Sequence, residues 1–226
     1  MLLANGAQVN ARNNAGYTAV ELAQNAQTID VLKGAGATMP EFPEEKKNDL
    51  LIENAEKGLA GGALMALQAG ADVNHKDGNS WTALHWAAYY GHEALAQGLL
   101  GAGADINATD MGGKTPLHNT AYSPEVAKVL LANGAQVNAR TTRGDTPLHH
   151  AVHHNKPEVA KVLLANGAQV SARCNDGDTA LELAKRGRLE RAYGDGPHHE
   201  MEALLRQHGA VYANKTNHGF HQLWKH

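Results

Sequence analysis

Four histidines close together are the residues whose types and spacing could do chemistry. His149 and His153 are four residues apart, as are His150 and His154, and this spacing places each pair on one face of a helix, where two imidazoles could clamp a transition metal. No carboxylate or cysteine stands at the spacing that would complete a four-ligand site. We therefore expect no bound metal and predict that this set of imidazoles lies on a solvated inner face.

Motifs that carry catalysis or bind a cofactor are missing from the sequence. There is no glycine-rich phosphate loop after a strand, no G-x-S-x-G, no H-E-x-x-H and no paired cysteine motif. The one cysteine, Cys174, has no partner base in view, so we interpret it as an inert small residue. The sequence therefore predicts neither an enzyme nor a cofactor.

The stretch 144–173 contains the elements that must position these histidines. Thr146 can cap a helix, and Pro147 suits the first helical position because its missing N–H costs nothing there. Apolar residues then recur at helical spacing on either side of a break at 155–157, and Gly167 ends the second run. Each helix is shorter than the ~12–15 residues at which an isolated helix becomes marginal in water, so each needs neighbours on both sides.

The rest of the chain supplies those neighbours, because the capping threonine recurs at a fixed period. Thr82, Thr115, Thr146 and Thr179 are 33, 31 and 33 residues apart, which is the spacing of a repeat array. Asp49, another residue type that caps helices, lies 33 residues before Thr82, and Thr18 lies 31 residues before Asp49. The sequence therefore predicts stacked copies of one unit along nearly the whole chain.

Three of these copies carry a recognisable motif. The segments T-A-L-H-W-A-A (82–88), T-P-L-H-N-T-A (115–121) and T-P-L-H-H-A-V (146–152), each followed by an L-L-x-x-G-A tail, resemble the ankyrin repeat. The resemblance implies an all-α solenoid of stacked helix-turn-helix units with projecting β-hairpin or loop fingers. It also implies that the repeat's own histidines, His85, His118 and His149, bridge backbone groups of adjacent turns.

The array is least regular at its ends. We divide the chain into truncated leading repeats with an atypical finger or linker (1–47), ankyrin repeats (48–212) and a C-terminal tail (213–226) that could cap the stack through Phe220, Leu223 and Trp224. The stretch 38–48 is either an unusual finger in one continuous stack, which we favour because stacking needs a fixed phase, or a linker between two arrays.

Gly61 and Gly62 are expected to weaken their helix by roughly 1 kcal/mol each relative to alanine. Because the chain begins inside a repeat, we expect it to be a fragment.

The resemblance also implies where a partner protein would bind. Partners are gripped by the finger tips and by the concave face of the first helices, which maps onto the residue before each threonine and onto the ends of the first helices. Aromatic and arginine side chains dominate interface energetics, although the tyrosines and Trp81 could instead fill gaps between helices, as we expect of Trp86. The predicted contact residues are Trp81, Tyr89, Tyr90, Met111, Lys114, Tyr122, Arg143, Asp145, His153, His154, Asp178 and Arg186.

Composition narrows the function classes. A formal net charge of −3 provides no general attraction to nucleic acid, and no run of about eighteen apolar residues suggests a membrane span. One cysteine and no signal sequence favour a reducing compartment, so we expect a cytoplasmic monomer. The predicted function is an adaptor or scaffold that binds a protein partner. The first alternative is a regulatory or targeting domain cut from a larger enzyme or effector, and the less favoured one is a metal-responsive protein that uses the histidine cluster.

Overall fold

Short helices make up the regular structure of the chain. The computed structural model describes residues 8–38, 46–190 and 198–212. Within these residues the helices are α1 (Ala26–Gly34), α2 (Lys47–Lys57), α3 (Ala60–Gln68), α4 (Ala83–Tyr90), α5 (Glu93–Gly101), α6 (Pro116–Asn119), α7 (Pro124–Ala132), α8 (Pro147–His153), α9 (Pro157–Ala165), α10 (Ala180–Glu190) and α11 (His198–Gln207). A 3₁₀ turn, Thr120–Tyr122, extends α6.

The helices form two stacked layers. Each repeat is a pair, α2 with α3, α4 with α5, α6 with α7, α8 with α9 and α10 with α11. First helices pack on the first helices of the next repeat, and second helices pack on second helices from α1 through to α11. This two-layer solenoid confirms the predicted all-α fold of stacked helix pairs.

The core is a column of equivalent leucines. One leucine at the same repeat position points inward in each of five repeats, although Asp49, two residues before Leu51, lies inside α2 and does not cap it as predicted. Leu51, Leu84, Leu117, Leu148 and Leu181 are all at most 2% exposed. Alanines such as Ala87 and Ala151 fill the space between neighbouring helices. A single pair of helices could not bury these leucines. The stabilisation that each repeat gains from burying apolar surface therefore depends on the next repeat.

The fingers, the turns that precede the first helices, are tight loops. In five of them a backbone N–H donates to the C=O four residues later: Asn13 to Tyr17 (2.9 Å), Asp77 to Trp81 (2.9 Å), Asp110 to Lys114 (3.0 Å), Thr141 to Asp145 (2.9 Å) and Cys174 to Asp178 (3.0 Å). Antiparallel bridges occur, in the described part of the chain, at Arg12–Thr18 and Arg173–Thr179. The predicted fingers therefore take the loop form more than the strand form.

Asparagines in the loops after the second helices tie each repeat to the next. The Oδ1 atoms of Asn74, Asn107 and Asn138 accept the backbone N–H groups of Asp105 (2.7 Å), Gln136 (3.0 Å) and Gln169 (2.8 Å), each in the following repeat. These bonds link segments about one repeat apart, so they hold the stack in register.

The leading repeat lacks its first helix. Residues 18–23 form turns, with N–H donation from Leu22 to the Thr18 carbonyl and from Ala23 to the Val20 carbonyl, and α1 is the repeat's only helix. Val20, Ala23 and Ile29 form a small buried cluster with Met65 of α3. The segment 39–45 and the tail, with Phe220, Leu223 and Trp224, lie outside the described residues, so the predicted division of the chain stays a prediction.

The adjacent glycines of α3 permit this contact with the leading repeat, so treating them only as helix-weakening residues was wrong. A Cβ on Gly61 would lie 2.1 Å from the Val20 carbonyl oxygen, and the Gly62 N–H donates to the Glu21 carbonyl at 3.2 Å. A side chain at position 61 would force the two backbones apart. The glycines cost helix propensity, but they allow a helix and a turn to touch.

This close approach predicts an inverted effect for a helix-favouring substitution. Gly61→Ala should lower the free energy of unfolding by roughly 1–3 kcal/mol, because overpacking against backbone outweighs the gain of about 1 kcal/mol in propensity. Urea denaturation followed by circular dichroism measures it. Gly101→Ala is the matched control, since a Cβ there meets open space, and it should be neutral or stabilising. Stabilisation by Gly61→Ala would contradict the packing role.

Candidate functional site

Three of the first helices, α4, α6 and α8, are each fixed by a threonine and a histidine. The Nδ1 atoms of His85, His118 and His149 accept the backbone N–H groups of Thr82, Thr115 and Thr146 at 3.1, 3.1 and 3.2 Å. The Nε2–H groups of the same rings donate to the carbonyls of Lys114, Asp145 and Asp178, in the next finger, at 3.1, 3.2 and 3.3 Å. Each imidazole therefore caps its own helix and bridges to the next repeat, which is the structural role expected of it.

These bridges require neutral rings. A carbonyl can only accept, so Nε2 carries the proton, and Nδ1 must be free to accept from the threonine. Burial lowers the pKa of His118 to about 4, and it also lowers the pKa values of His85 and His149, although the bonds to the backbone carbonyls oppose the shift. Protonation of these rings on acidification would therefore disrupt both the helix cap and the bridge to the next repeat.

An aromatic platform, made of Trp81, Trp86, Tyr89, Tyr90 and Tyr122, lies on the inner layer. The Trp86 and Tyr90 rings stack at 5.9 Å and 12°, Tyr89 meets Tyr90 edge-on at 5.0 Å, and Tyr89 reaches Tyr122 of the next repeat at 6.2 Å. Tyr89, Tyr90 and Tyr122 remain 40%, 49% and 54% exposed. The platform therefore presents ring faces to solvent while contacts between rings hold it in shape.

The two tryptophans anchor the platform to the fingers. Trp81 Nε1 donates to Asp110 Oδ2 at 3.1 Å, and Trp86 Nε1 donates to Asp77 Oδ2 at 3.0 Å. Both indoles are half-buried, and Trp86 packs against the core, as expected of a residue at an inward position. The hydrogen bonds of the indoles and the contacts between rings already restrict the rotamers of these side chains. Little side-chain entropy is therefore lost when a partner binds.

Next to the platform lies a cleft of about 300 Å³, called here the histidine cleft. Tyr122 joins the two, because its ring lies 5.6 Å from that of His154 and its hydroxyl lies 3.3 Å from His154 Nδ1. Lys156 contacts the face of Tyr122 at 4.6 Å. The cleft is lined by Lys114, Arg143, Asp145, His149, His150, His153, His154, Cys174, Asp176, Leu183 and Arg186.

Ion pairs occupy most of the charges in and beside the cleft. Arg143 Nε lies 3.5 Å from Asp145 Oδ2, and Arg186 donates to Asp178. The Lys114 ammonium is different, because it has neither a hydrogen bond nor an ion pair among the described residues. Its positive charge is therefore available to a ligand.

Two histidines of the cleft, His150 and His154, resist protonation. Burial lowers the pKa of His150 to about 3, and Coulombic interactions with His118 and Lys114 lower it further. Burial also lowers the pKa of His154, again with help from Lys114. At neutral pH these imidazoles are uncharged hydrogen-bonding groups.

The i, i+4 pairs do not form a metal site in the described part of the chain. No three histidine, cysteine, aspartate or glutamate side chains come close enough there to hold an ion. His149 is committed at both ring nitrogens to Thr146 and Asp178, which removes it from the pair with His153.

The twelve predicted contact residues fall into three groups. Trp81, Tyr89, Tyr90 and Tyr122 belong to the platform, and Lys114, Arg143, Asp145, His153, His154 and Arg186 line the cleft. Met111 is 73% exposed at a finger tip, and Asp178 is buried with its carboxylate held by Arg186. The residues predicted from repeat position did not include His150, Asp176 and Lys156. His150 could have been found from the sequence, because it occupies the same repeat position as Trp86.

The helices of the described residues include none with the length and apolar character that crossing a membrane requires.

Two family models match the chain. A model for ankyrin repeats in three copies matches residues 51–141, and a model for ankyrin repeats in many copies matches residues 130–184. A search of curated proteins found no match. The two matched ranges overlap and together include the platform and most of the histidine cleft.

The neutral rings predict a stability loss on acidification. The unfolded His118 titrates near 6.5 and the folded one near 4, so between these values the unfolded chain binds a proton that the folded chain does not. Stability is therefore full above pH 6.5 and falls below it, by about 2 kcal/mol at pH 5 from His118 alone. Urea denaturation at pH 8 and pH 5 measures the drop.

A variant isolates this contribution. His118→Gln can still accept the Thr115 N–H but does not titrate, so the difference in unfolding free energy between the two pH values should shrink by that amount. Val152→Ala is the control, because it removes buried methyl groups and no imidazole, and it should keep the wild-type difference. An undiminished pH dependence in His118→Gln would contradict the assignment.

Proposed function

Because the chain belongs to the ankyrin repeat family, we propose that it is an adaptor or scaffold that binds a partner protein through its finger tips and concave inner-helix face. Ankyrin repeats are in general protein–protein interaction modules, and they are typically non-catalytic. We propose no reaction and no cofactor for this chain. The proposed setting is a reducing compartment such as the cytoplasm, with the chain acting as a monomer.

The aromatic platform is the observation that carries this proposal. Trp and Tyr are enriched among residues that dominate binding energy, and here they stand together on successive first helices. Tyr89, Tyr90 and Tyr122 are exposed, although burying such large apolar groups lowers the free energy. The hydrogen-bonded indoles below them keep the surface in one arrangement before any partner arrives.

The histidine cleft extends this surface with polar groups. Arginine and aromatic side chains are enriched in interfaces, and the cleft, which Tyr122 meets through His154, adds Arg143 and Arg186. An apolar platform beside a polar cleft is the combination that an interface needs, since the apolar part contributes affinity and the polar part contributes orientation. The rigid repeats behind both supply a fixed scaffold.

A pull-down with paired substitutions tests the surface. Tyr90→Ala combined with Tyr122→Ala should reduce capture of the partner at least about tenfold, because each ring is expected to contribute around 1 kcal/mol or more. The bait is the full chain in a lysate of its source, and capture is quantified by mass spectrometry.

The control for this experiment is Val31→Ala, which shortens an exposed apolar side chain on α1, away from the platform. It should retain the proteins that the wild type enriches. Equal enrichment by the tyrosine double variant, with wild-type circular dichroism and melting temperature, would remove the platform from the proposal. Absence of any protein enriched over empty beads would argue against the adaptor function.

A further inference from the structure

Charge is distributed unevenly along the stack. Residues 70–111 contain five carboxylates and one ammonium group, whereas residues 112–186 contain nine basic side chains and six acidic ones. The change of sign occurs between the platform residues Tyr90 and Tyr122. The platform therefore lies where the stack changes from a net negative section to a net positive one.

The positive half is concentrated at the histidine cleft. Lys114 is half-buried, and its ammonium forms no ion pair among the described residues, so its charge is not compensated there. The Arg143 side chain is 79% exposed and meets Asp145 through Nε, which leaves its terminal nitrogens open to another acceptor. A carboxylate could lie between these two cations and accept hydrogen bonds from both.

The acidic groups in and beside the cleft do not prevent it from favouring a carboxylate ligand. The Asp145 carboxylate lies beside Arg143, and Asp178, just outside the lining, is buried against Arg186. Asp176 is exposed at the finger tip. The imidazoles of His150 and His154 are neutral at pH 7 because burial and Lys114 lower their pKa values, so they can donate N–H groups to an anion without adding charge.

We propose that the partner presents an extended acidic segment, in which one carboxylate side chain occupies the histidine cleft between Lys114 and Arg143 while a nearby apolar or aromatic side chain packs on Tyr90 and Tyr122. This inference rests on the proposed function and specifies the chemistry of the partner at the same surface. Tyr122 contacts His154 of the cleft, so both side chains can come from one short stretch of extended chain.

A peptide fits this surface better than a nucleic acid does. A polyanionic backbone that continued from the cleft across the platform would approach Asp77 and Asp110, whose carboxylates hold the platform's indoles, and the chain as a whole carries a net charge of −3. A peptide can place its acidic residues at one end only. The platform also provides apolar area that a phosphate chain would leave unused.

Direct binding of designed probes tests the proposal on the full chain. The acidic probe is a fluorescein-labelled peptide of twelve residues, with glutamates and aspartates on one side of a central Trp-Leu pair and neutral residues on the other. The basic probe has lysine at every acidic position. Fluorescence anisotropy should give an affinity for the acidic probe at least tenfold higher than for the basic probe, and this preference should shrink as salt is raised.

Charge-changing variants locate the site. Lys114→Glu should weaken binding of the acidic probe at least tenfold, and Arg143→Gln should weaken it by a smaller factor, because it removes one positive charge whereas Lys114→Glu replaces a positive charge with a negative one. Lys128→Glu is the matched control, since Lys128 is an exposed lysine on the second helix α7, and it should leave the affinity within twofold of wild type. Thermal melts verify that all three variants are folded.

Three results would overturn the inference. These are equal or tighter binding of the basic probe, equal loss of affinity in Lys114→Glu and Lys128→Glu, and displacement of the acidic probe by inorganic phosphate or a single-stranded oligonucleotide at similar concentrations. None of them decides the proposed function. If the lysate pull-down still depends on Tyr90 and Tyr122 while the acidic probe fails, the chain is an adaptor for a partner of different chemistry.

Discussion

The imidazole bridge from one first helix to the next finger is the interaction on which the stack depends. Helices of seven to nine residues such as α4, α8 and α9 do not persist alone in water, because nucleation costs more than so few hydrogen bonds return. In each of three consecutive repeats, one histidine satisfies an otherwise open N–H at the helix start and reaches a carbonyl of the following repeat. Local helix formation and stacking are therefore coupled through the same ring.

The two outermost threonines replace this histidine with glutamate. Thr18 and Thr179 donate their backbone N–H groups to Glu21 and Glu182, at 2.7 and 2.8 Å, and each carboxylate also lies 3.6 Å from an arginine of its own finger. A carboxylate caps a helix as well as an imidazole does, but it has no proton with which to reach a further carbonyl. The residue three after each threonine thus distinguishes interior repeats, which bridge onward, from these two.

The same packing rules shape the candidate binding surface. Because the first helices stack at a fixed spacing, side chains at equivalent positions form columns on the inner face, and Trp86, Asn119, His150 and Leu183 share one of them. On this face the aromatic rings belong to the repeats of α4 and α6, and the histidines of the cleft belong to the repeat of α8. The platform and the cleft are therefore neighbouring sections of one surface, and their different chemistry comes from substitutions on an identical scaffold.

Much of this surface could be predicted from the sequence, because the column to which a residue belongs follows from its position in the repeat. Trp81, Tyr90 and Tyr122 could be assigned to the inner face in this way. Periodicity cannot say which charges are paired. Asp178 and Lys114 occupy the same repeat position, yet the Asp178 carboxylate is held by an arginine, whereas the Lys114 ammonium forms no ion pair or hydrogen bond among the described residues.

The period of the threonines, their histidines and the leucines two residues beyond each cap determined the fold, since these are local and repeating requirements. Only the tertiary structure decided how close the backbones come. Gly61 looks unfavourable within its own helix and becomes necessary once the Val20 carbonyl lies against it. Likewise, only the fold shows that the Asn107 side chain accepts the backbone N–H of Gln136 in the next repeat. Contacts between repeats depend on distances that no single repeat encodes, and for that reason they had to be read from the folded chain.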